Sequence, residues 1–273
     1  MNYPKNHTEG RIKKSQNRCA LGSIGIALLT GLLGTAQADP TYTYKVTISN
    51  LAHGEFAQTG DRCRTGPIMG LFAFATHEPG FQLFELGRPV SGELAVLAES
   101  GGPFQLVQSL SSNPKVENAF SIPAAADFPA KIFDGVLCTG ENLTTTIRAK
   151  PNHRFSMAAM IFPTNDGFIA LNGVELPKEE GTKTYFSPVY DAGSESNDEL
   201  CDHMPSVPSL PGCHAPVDTN TDPTIPDPHT TGGPGLGEGY AHFHSGIHGI
   251  GDLQASQFDW SNPVASITIR RIR

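Results

Sequence analysis

Polar and apolar residues alternate with a period of two in several stretches of the chain. Tyr42, Tyr44, Val46 and Ile48 fall on one face of an extended segment, and Thr41, Thr43, Lys45, Thr47 and Ser49 on the other. That pattern predicts a half-buried strand over 42–49. Residues 68–76 form a nearly continuous apolar run, as expected of a strand covered on both faces. Alternation returns over 143–150, where Leu143, Thr145 and Ile147 oppose Thr144, Thr146 and Arg148. It recurs over 154–162 (Phe155, Met157, Ala159, Ile161) and over 264–272 (Ala265, Ile267, Ile269). One stretch, 91–99, reads instead as a short helix capped by Ser91, with Leu94, Leu97 and Ala98 on one side. The fold class that follows is all-β: an antiparallel β-sandwich of about seven to nine short strands joined by long Pro/Gly-rich loops.

Composition agrees with this reading. The 273 residues include 29 glycines and 22 prolines, and only 17% are charged. This excludes a coiled coil and a disordered acidic tail. Residues 1–38 read as a secretory signal peptide. Lys5, Arg11, Lys13, Lys14 and Arg18 precede an apolar run from Ala20 to Leu33, and Ala36-Gln37-Ala38 gives a small-x-small cleavage pattern. Residues 39–273 are then one domain. The stretch 201–237 holds eight prolines, but the strands after it are too few to fold alone, so it reads as a long loop. No second apolar stretch of membrane-spanning length follows, which places a soluble mature chain in the periplasm or outside the cell.

Net charge is −8 over the whole chain, and the leader carries five basic groups against one acidic group, Glu9. The remainder is therefore more acidic still. Such a balance argues against a nucleic-acid partner and suits divalent cations. Four cysteines remain beyond the leader: Cys63, Cys138, Cys201 and Cys213. In an oxidising compartment an even number suggests two disulfides. Three pairings are open; because Cys201 and Cys213 bracket a Pro-rich loop, Cys201–Cys213 with Cys63–Cys138 is favoured.

Two constellations could carry chemistry. The first is acidic: Thr164-Asn165-Asp166-Gly167 follows the strand over 154–162, and Tyr190-Asp191-Ala192-Gly193-Ser194-Glu195-Ser196-Asn197-Asp198-Glu199 follows later. Carboxylates that converge repel one another unless a cation joins them. Calcium takes six to eight oxygen ligands and would suit Asp166, Asp191 and Glu195 if the two loops meet. Read without a cation, both segments are ordinary solvated turns. The second is His242-Phe243-His244-Ser245-Gly246-Ile247-His248. On a strand His242 and His244 share a face, and three imidazoles suit zinc, copper or iron. Read without a metal, it is a polar strand face packed under the Pro-rich loop. Hydrolase signatures are absent: there is no Gly-x-Ser-x-Gly, no His-Glu-x-x-His and no phosphate-binding glycine loop.

Several of these segments occur in a family-like order. Ala75-Thr76-His77 leads into Phe84-Glu85-Leu86-Gly87; then come Pro163-Thr164-Asn165-Asp166-Gly167-Phe168, Val189-Tyr190-Asp191-Ala192-Gly193-Ser194-Glu195 and Asn262-Pro263-Val264-Ala265. Over residues 41–273 the chain resembles the spondin N-terminal domain, in the stand-alone form of secreted bacterial proteins. The resemblance implies a sandwich similar to a C2 domain with a calcium ion at one end. It also implies that Asp166, Asp191 and Glu195 supply the side-chain ligands. Two departures stand out: Thr-Asn-Asp-Gly-Phe replaces a Ser-Pro-Asp-Trp-like turn, and Glu195 replaces an aspartate. The animal members act in matrix adhesion, usually with thrombospondin-type repeats that this chain does not carry.

The expected function is a secreted, calcium-binding, non-enzymatic module that binds or adheres to an extracellular protein or glycan surface. The alternative is a secreted metalloenzyme with a transition metal held by His242, His244 and His248.

Overall fold

Alternation sinks Tyr44, Val46 and Ile48 of β1 (Tyr42–Asn50) into the core and leaves Lys45 in solvent. The structure is a computed structural model that describes residues 40–53, 66–128, 130, 132–205 and 237–273. The leader assigned to 1–38, two of the cysteines (Cys63 and Cys213) and most of the Pro-rich stretch lie outside the described residues. β1 is flanked by β4 (Asn142–Ala149) and β10 (Ala265–Arg271), with β7 (Gly181–Ser187) beyond β10. Val46 stands opposite Thr145 on one side and Ile269 on the other.

The second sheet has six strands in the order β3 (Val116–Ile122), β2 (Ile68–His77), β5 (Arg154–Phe162), β6 (Gly167–Glu175), β8 (Val189–Asp191), β9 (His242–Phe243). All of these pairings are antiparallel. The continuous apolar run of β2 has a simple cause, since both of its faces are covered. One face sends Phe72 and Phe74, with Phe155, Met157 and Ile161 of β5, against Val46, Ile48 and Ile267 of the four-stranded sheet. The other face is nearly all alanine: Ala73 and Ala75 of β2, Ala158 of β5, Ala170 of β6. Side chains this small let two helices lie close on the sheet. These are α1 (Gly92–Ser100) and α2 (Phe104–Ser112), which bury Leu94, Leu97, Leu106 and Leu110 there. Ser91 caps α1 as predicted, its Oγ accepting the Leu94 N–H at 3.3 Å.

The all-β sandwich therefore stands. α2, a short α3 (Ala255–Phe258) and strands β3 and β6–β9 add to what alternation marked. Ten strands are present among the described residues, because β8 and β9 are only three and two residues long. Cys138 and Cys201 are each disulfide-bonded. No helix among the described residues is long and apolar enough to cross a membrane.

Candidate metal centre

Between β5 and β6 the chain turns through Pro163-Thr164-Asn165-Asp166. Each polar residue of this turn has a separate task. Thr164 locks it: its Oγ accepts the Gly167 N–H at 3.0 Å and donates to the Ile161 carbonyl at 2.5 Å. Asn165 grips the later acidic loop, donating to Asp198 Oδ1 at 3.0 Å and accepting the Glu199 N–H at 3.3 Å. Asp166 grips the same loop further back. Its Oδ2 accepts the backbone N–H groups of Ser194 (2.7 Å) and Glu195 (3.0 Å) and the Ser194 hydroxyl (3.2 Å). The two loops that the sequence left apart thus meet at one end of the six-stranded sheet.

Asp191 closes β8 directly across from Gly167, one residue from Asp166. Its Oδ1 accepts the Gly193 N–H at 2.8 Å, and its Oδ2 accepts the Asn197 side-chain amide at 2.6 Å. Asp166, Asp191 and Glu195 are all buried, the two aspartates completely. Asp166 Oδ1 is buried with no hydrogen-bond partner. Burial, reinforced by the neighbouring Asp191 charge, pushes the Asp166 carboxyl up to about 7, against the N–H groups that favour its anion. Burial also raises Asp191, with Asn197, His242 and Gly193 acting the other way. Glu99 in the last turn of α1 joins this neighbourhood through a hydrogen bond to the Ser194 side chain, and burial raises its carboxyl as well.

Among the described residues, one set of three metal-capable side chains has donor atoms all within 4.8 Å of one another: Asp191, Glu238 and His242. His242 pairs with Asp191 across β8 and β9, and its Nδ1 stands 3.5 Å from Asp191 Oδ1. Glu195 enters the centre through its backbone N–H on Asp166.

The three histidines do not converge as the alternative reading requires. The last backbone bond of the β8–β9 pair runs from the His244 N–H to the Val189 carbonyl at 3.1 Å. His242 goes to Asp191, and His244 turns into the core, where its ring lies 5.1 Å from that of Trp260. There it is 5% exposed, its Nδ1 accepts the Gly246 N–H, and burial pushes its pKa down to about 4. His248, beyond the Gly246 bend, pairs with the Ser245 hydroxyl at 3.1 Å. Glu199, which the sequence grouped with the other acids, instead accepts the backbone N–H groups of His248 and Ile250 and ties the histidine segment down.

Sequence reasoning missed Glu238 and Glu99. Neither carried a local signal: Glu238 lies between Gly237 and Gly239 outside any helix, so its spacing from His242 brings no side chains together by itself, and Glu99 looked like an ordinary helix residue.

Comparison with curated proteins finds no match. The family described as Spondin_N matches residues 62–211, more than half of the chain, including Asp166, Asp191 and Glu195, and the chain belongs to that family.

Proposed function

We propose that this protein is a secreted, calcium-binding, non-enzymatic β-sandwich module for binding or adhesion at an extracellular protein or glycan surface. Asp166, Asp191 and Glu195 would hold the ion. The observation that carries this reading is the Asp166 carboxyl: fully buried, beside a second buried carboxylate, with Oδ1 unmatched by any hydrogen-bond donor. A buried acceptor left in that state costs about 1–3 kcal/mol. A divalent cation removes the cost and the like-charge repulsion together. Oxygen donors are the chemistry that calcium prefers. Asp166 and Asp191 fit the ion by their chemistry and burial, and Glu195 joins them through its backbone N–H on Asp166; its carboxylate is not among the three donor atoms that lie within 4.8 Å of one another among the described residues.

The chain's own groups would divide the work. The Ser194 and Glu195 N–H groups hold Asp166 by Oδ2 and leave Oδ1 unmatched. Asn197 and the Gly193 N–H orient Asp191. Calcium would supply positive charge that ties the 163–166 turn to the 191–199 loop, a structural rather than catalytic role.

The test is thermal melting in calcium and in EDTA, with elemental analysis of the purified protein. A cation bound only by the folded state stabilises it by about 2.7 kcal/mol at a hundredfold excess over Kd. For a domain of this size that is a rise of roughly 5–10 °C in Tm. Asp166→Asn should melt no lower than wild type in EDTA, since it relieves the repulsion, and should lose the calcium response. A wild-type protein indifferent to calcium, or an Asp166→Asn variant with the full response, would refute the reading.

A further inference from the structure

We propose that Asp191, Glu238 and His242 form a second cation site, for an ion of the zinc class, beside the calcium site and sharing Asp191 with it. The inference goes beyond the proposed function. It uses Glu238 and His242, which lie after the residues matched to the family.

The site is assembled by backbone contacts that glycine permits. The segment 237–241 lies flush on the loop after Asp191: Gly239 donates its N–H to the Gly193 carbonyl at 2.8 Å. A Cβ on Gly193 would stand 2.3 Å from the Tyr240 carbonyl oxygen, and one on Gly237 would stand 2.4 Å from the Gly193 oxygen. On its other side the segment is pinned to the 87–88 turn, with Gly87 N–H on Ala241 O and Ala241 N–H on Arg88 O, both at 2.8 Å. This doubly held strip places Glu238 within reach of Asp191 and leads into β9. In β9, His242 stands directly opposite Asp191, so both side chains leave the sheet on the same side.

The distances suit a metal better than a direct bond. His242 Nδ1 and Asp191 Oδ1 are 3.5 Å apart, too far for a hydrogen bond of good strength. Zinc bonds of about 2.1 Å at the tetrahedral angle place two ligand atoms about 3.4 Å apart. One imidazole with two carboxylates is a donor set of the zinc class; calcium prefers oxygen alone. Glu238 is exposed and His242 half-buried, so the remaining coordination positions open to solvent. The competing arrangement is a metal-free one in which His242 donates its Nδ1 hydrogen to the Tyr240 carbonyl, 3.2 Å away, and Asp191 is left to the Gly193 N–H and the Asn197 amide.

The test is isothermal titration of the purified protein with zinc chloride in saturating calcium, on wild type, His242→Ala and Glu238→Gln. Both altered positions are partly or fully exposed, so the variants should fold as wild type does. The expected result is one zinc per chain in wild type and at least a tenfold weaker affinity in each variant, with the calcium-dependent rise in Tm unchanged in both. Zinc affinity that survives both substitutions would overturn the site. So would zinc that calcium displaces completely, because a single shared cation site would then account for both ions. Should Asp166→Asn abolish the calcium response and keep zinc binding, the two sites are separate. If wild type ignores calcium but binds zinc through His242, the calcium reading fails and this one stands.

Discussion

His77 shows how one buried group can set a pH dependence. It is fully buried at the end of β2, and its Nδ1 lies 2.9 Å from the Glu78 carbonyl, which can only accept. Nδ1 therefore carries the hydrogen, and Nε2 accepts from the Ser156 hydroxyl at 2.8 Å, whose oxygen in turn accepts the Gly173 N–H. This chain of donors is complete only while the imidazole is neutral. Burial lowers the His77 pKa below the usual 6.5, the nearby His153 and Arg154 lower it further, and the Glu78 carbonyl opposes them. A lowered pKa means that the unfolded chain binds more protons between the folded value and 6.5. Stability is then fully present above pH 6.5, falls as pH drops through that window, and levels off below the folded pKa. His77→Gln should lower Tm at every pH yet flatten the decline between pH 7.5 and 5.5. Parallel curves for wild type and variant would show that His77 does not titrate in this range.

Larger pieces of the fold were legible wherever burial on one face imposed a rhythm. β1, β4 and β10 alternate because one face meets the core, and α1 announces itself through Ser91 and the Leu94, Leu97, Ala98 stripe. β8 and β9 carry no such rhythm; two or three residues are too few for a period to show. β6 is buried along its first half on both faces, so it reads as a plain apolar run. The candidate centre was half legible. Asp166, Asp191 and Glu195 stood in recognisable turns, whereas Glu238 reaches Asp191 only through the packing of 237–241 on 193–195, which no local pattern encodes. That packing is testable. Gly193 has φ +69 as well as the tight approach to Tyr240, so Gly193→Ala is both strained and sterically blocked. It should cost about 1–3 kcal/mol and push the 237–241 strip off the loop. Zinc affinity would fall with it even though no proposed ligand is altered. A variant that melts like wild type and binds zinc equally well would mean that the strip is held from the 87–88 side alone.

The two sheets share one core, and the C-terminal segment that carries His242 is built into it. Trp260, the single tryptophan, is 9% exposed and belongs to the same apolar cluster as Val46, Ile48, Phe72 and Ile267. Its ring also lies against His244. Tryptophan fluorescence therefore reports on the histidine segment and on the contact between sheets together. If the core is one cooperative unit, melts followed by fluorescence and by far-ultraviolet circular dichroism should coincide, as a two-state transition requires. Calcium should then move both curves by the same amount, because an ion that joins the 163–166 turn to the 191–199 loop acts on strands β5, β6 and β8, and through β5 on the centre of the sandwich. A fluorescence transition that precedes the loss of strand signal would show that 237–264 opens by itself. In that case calcium should shift only the later step, because Asp166, Asp191 and Glu195 lie outside 237–264, whereas zinc held by Glu238 and His242 should shift the earlier, local opening.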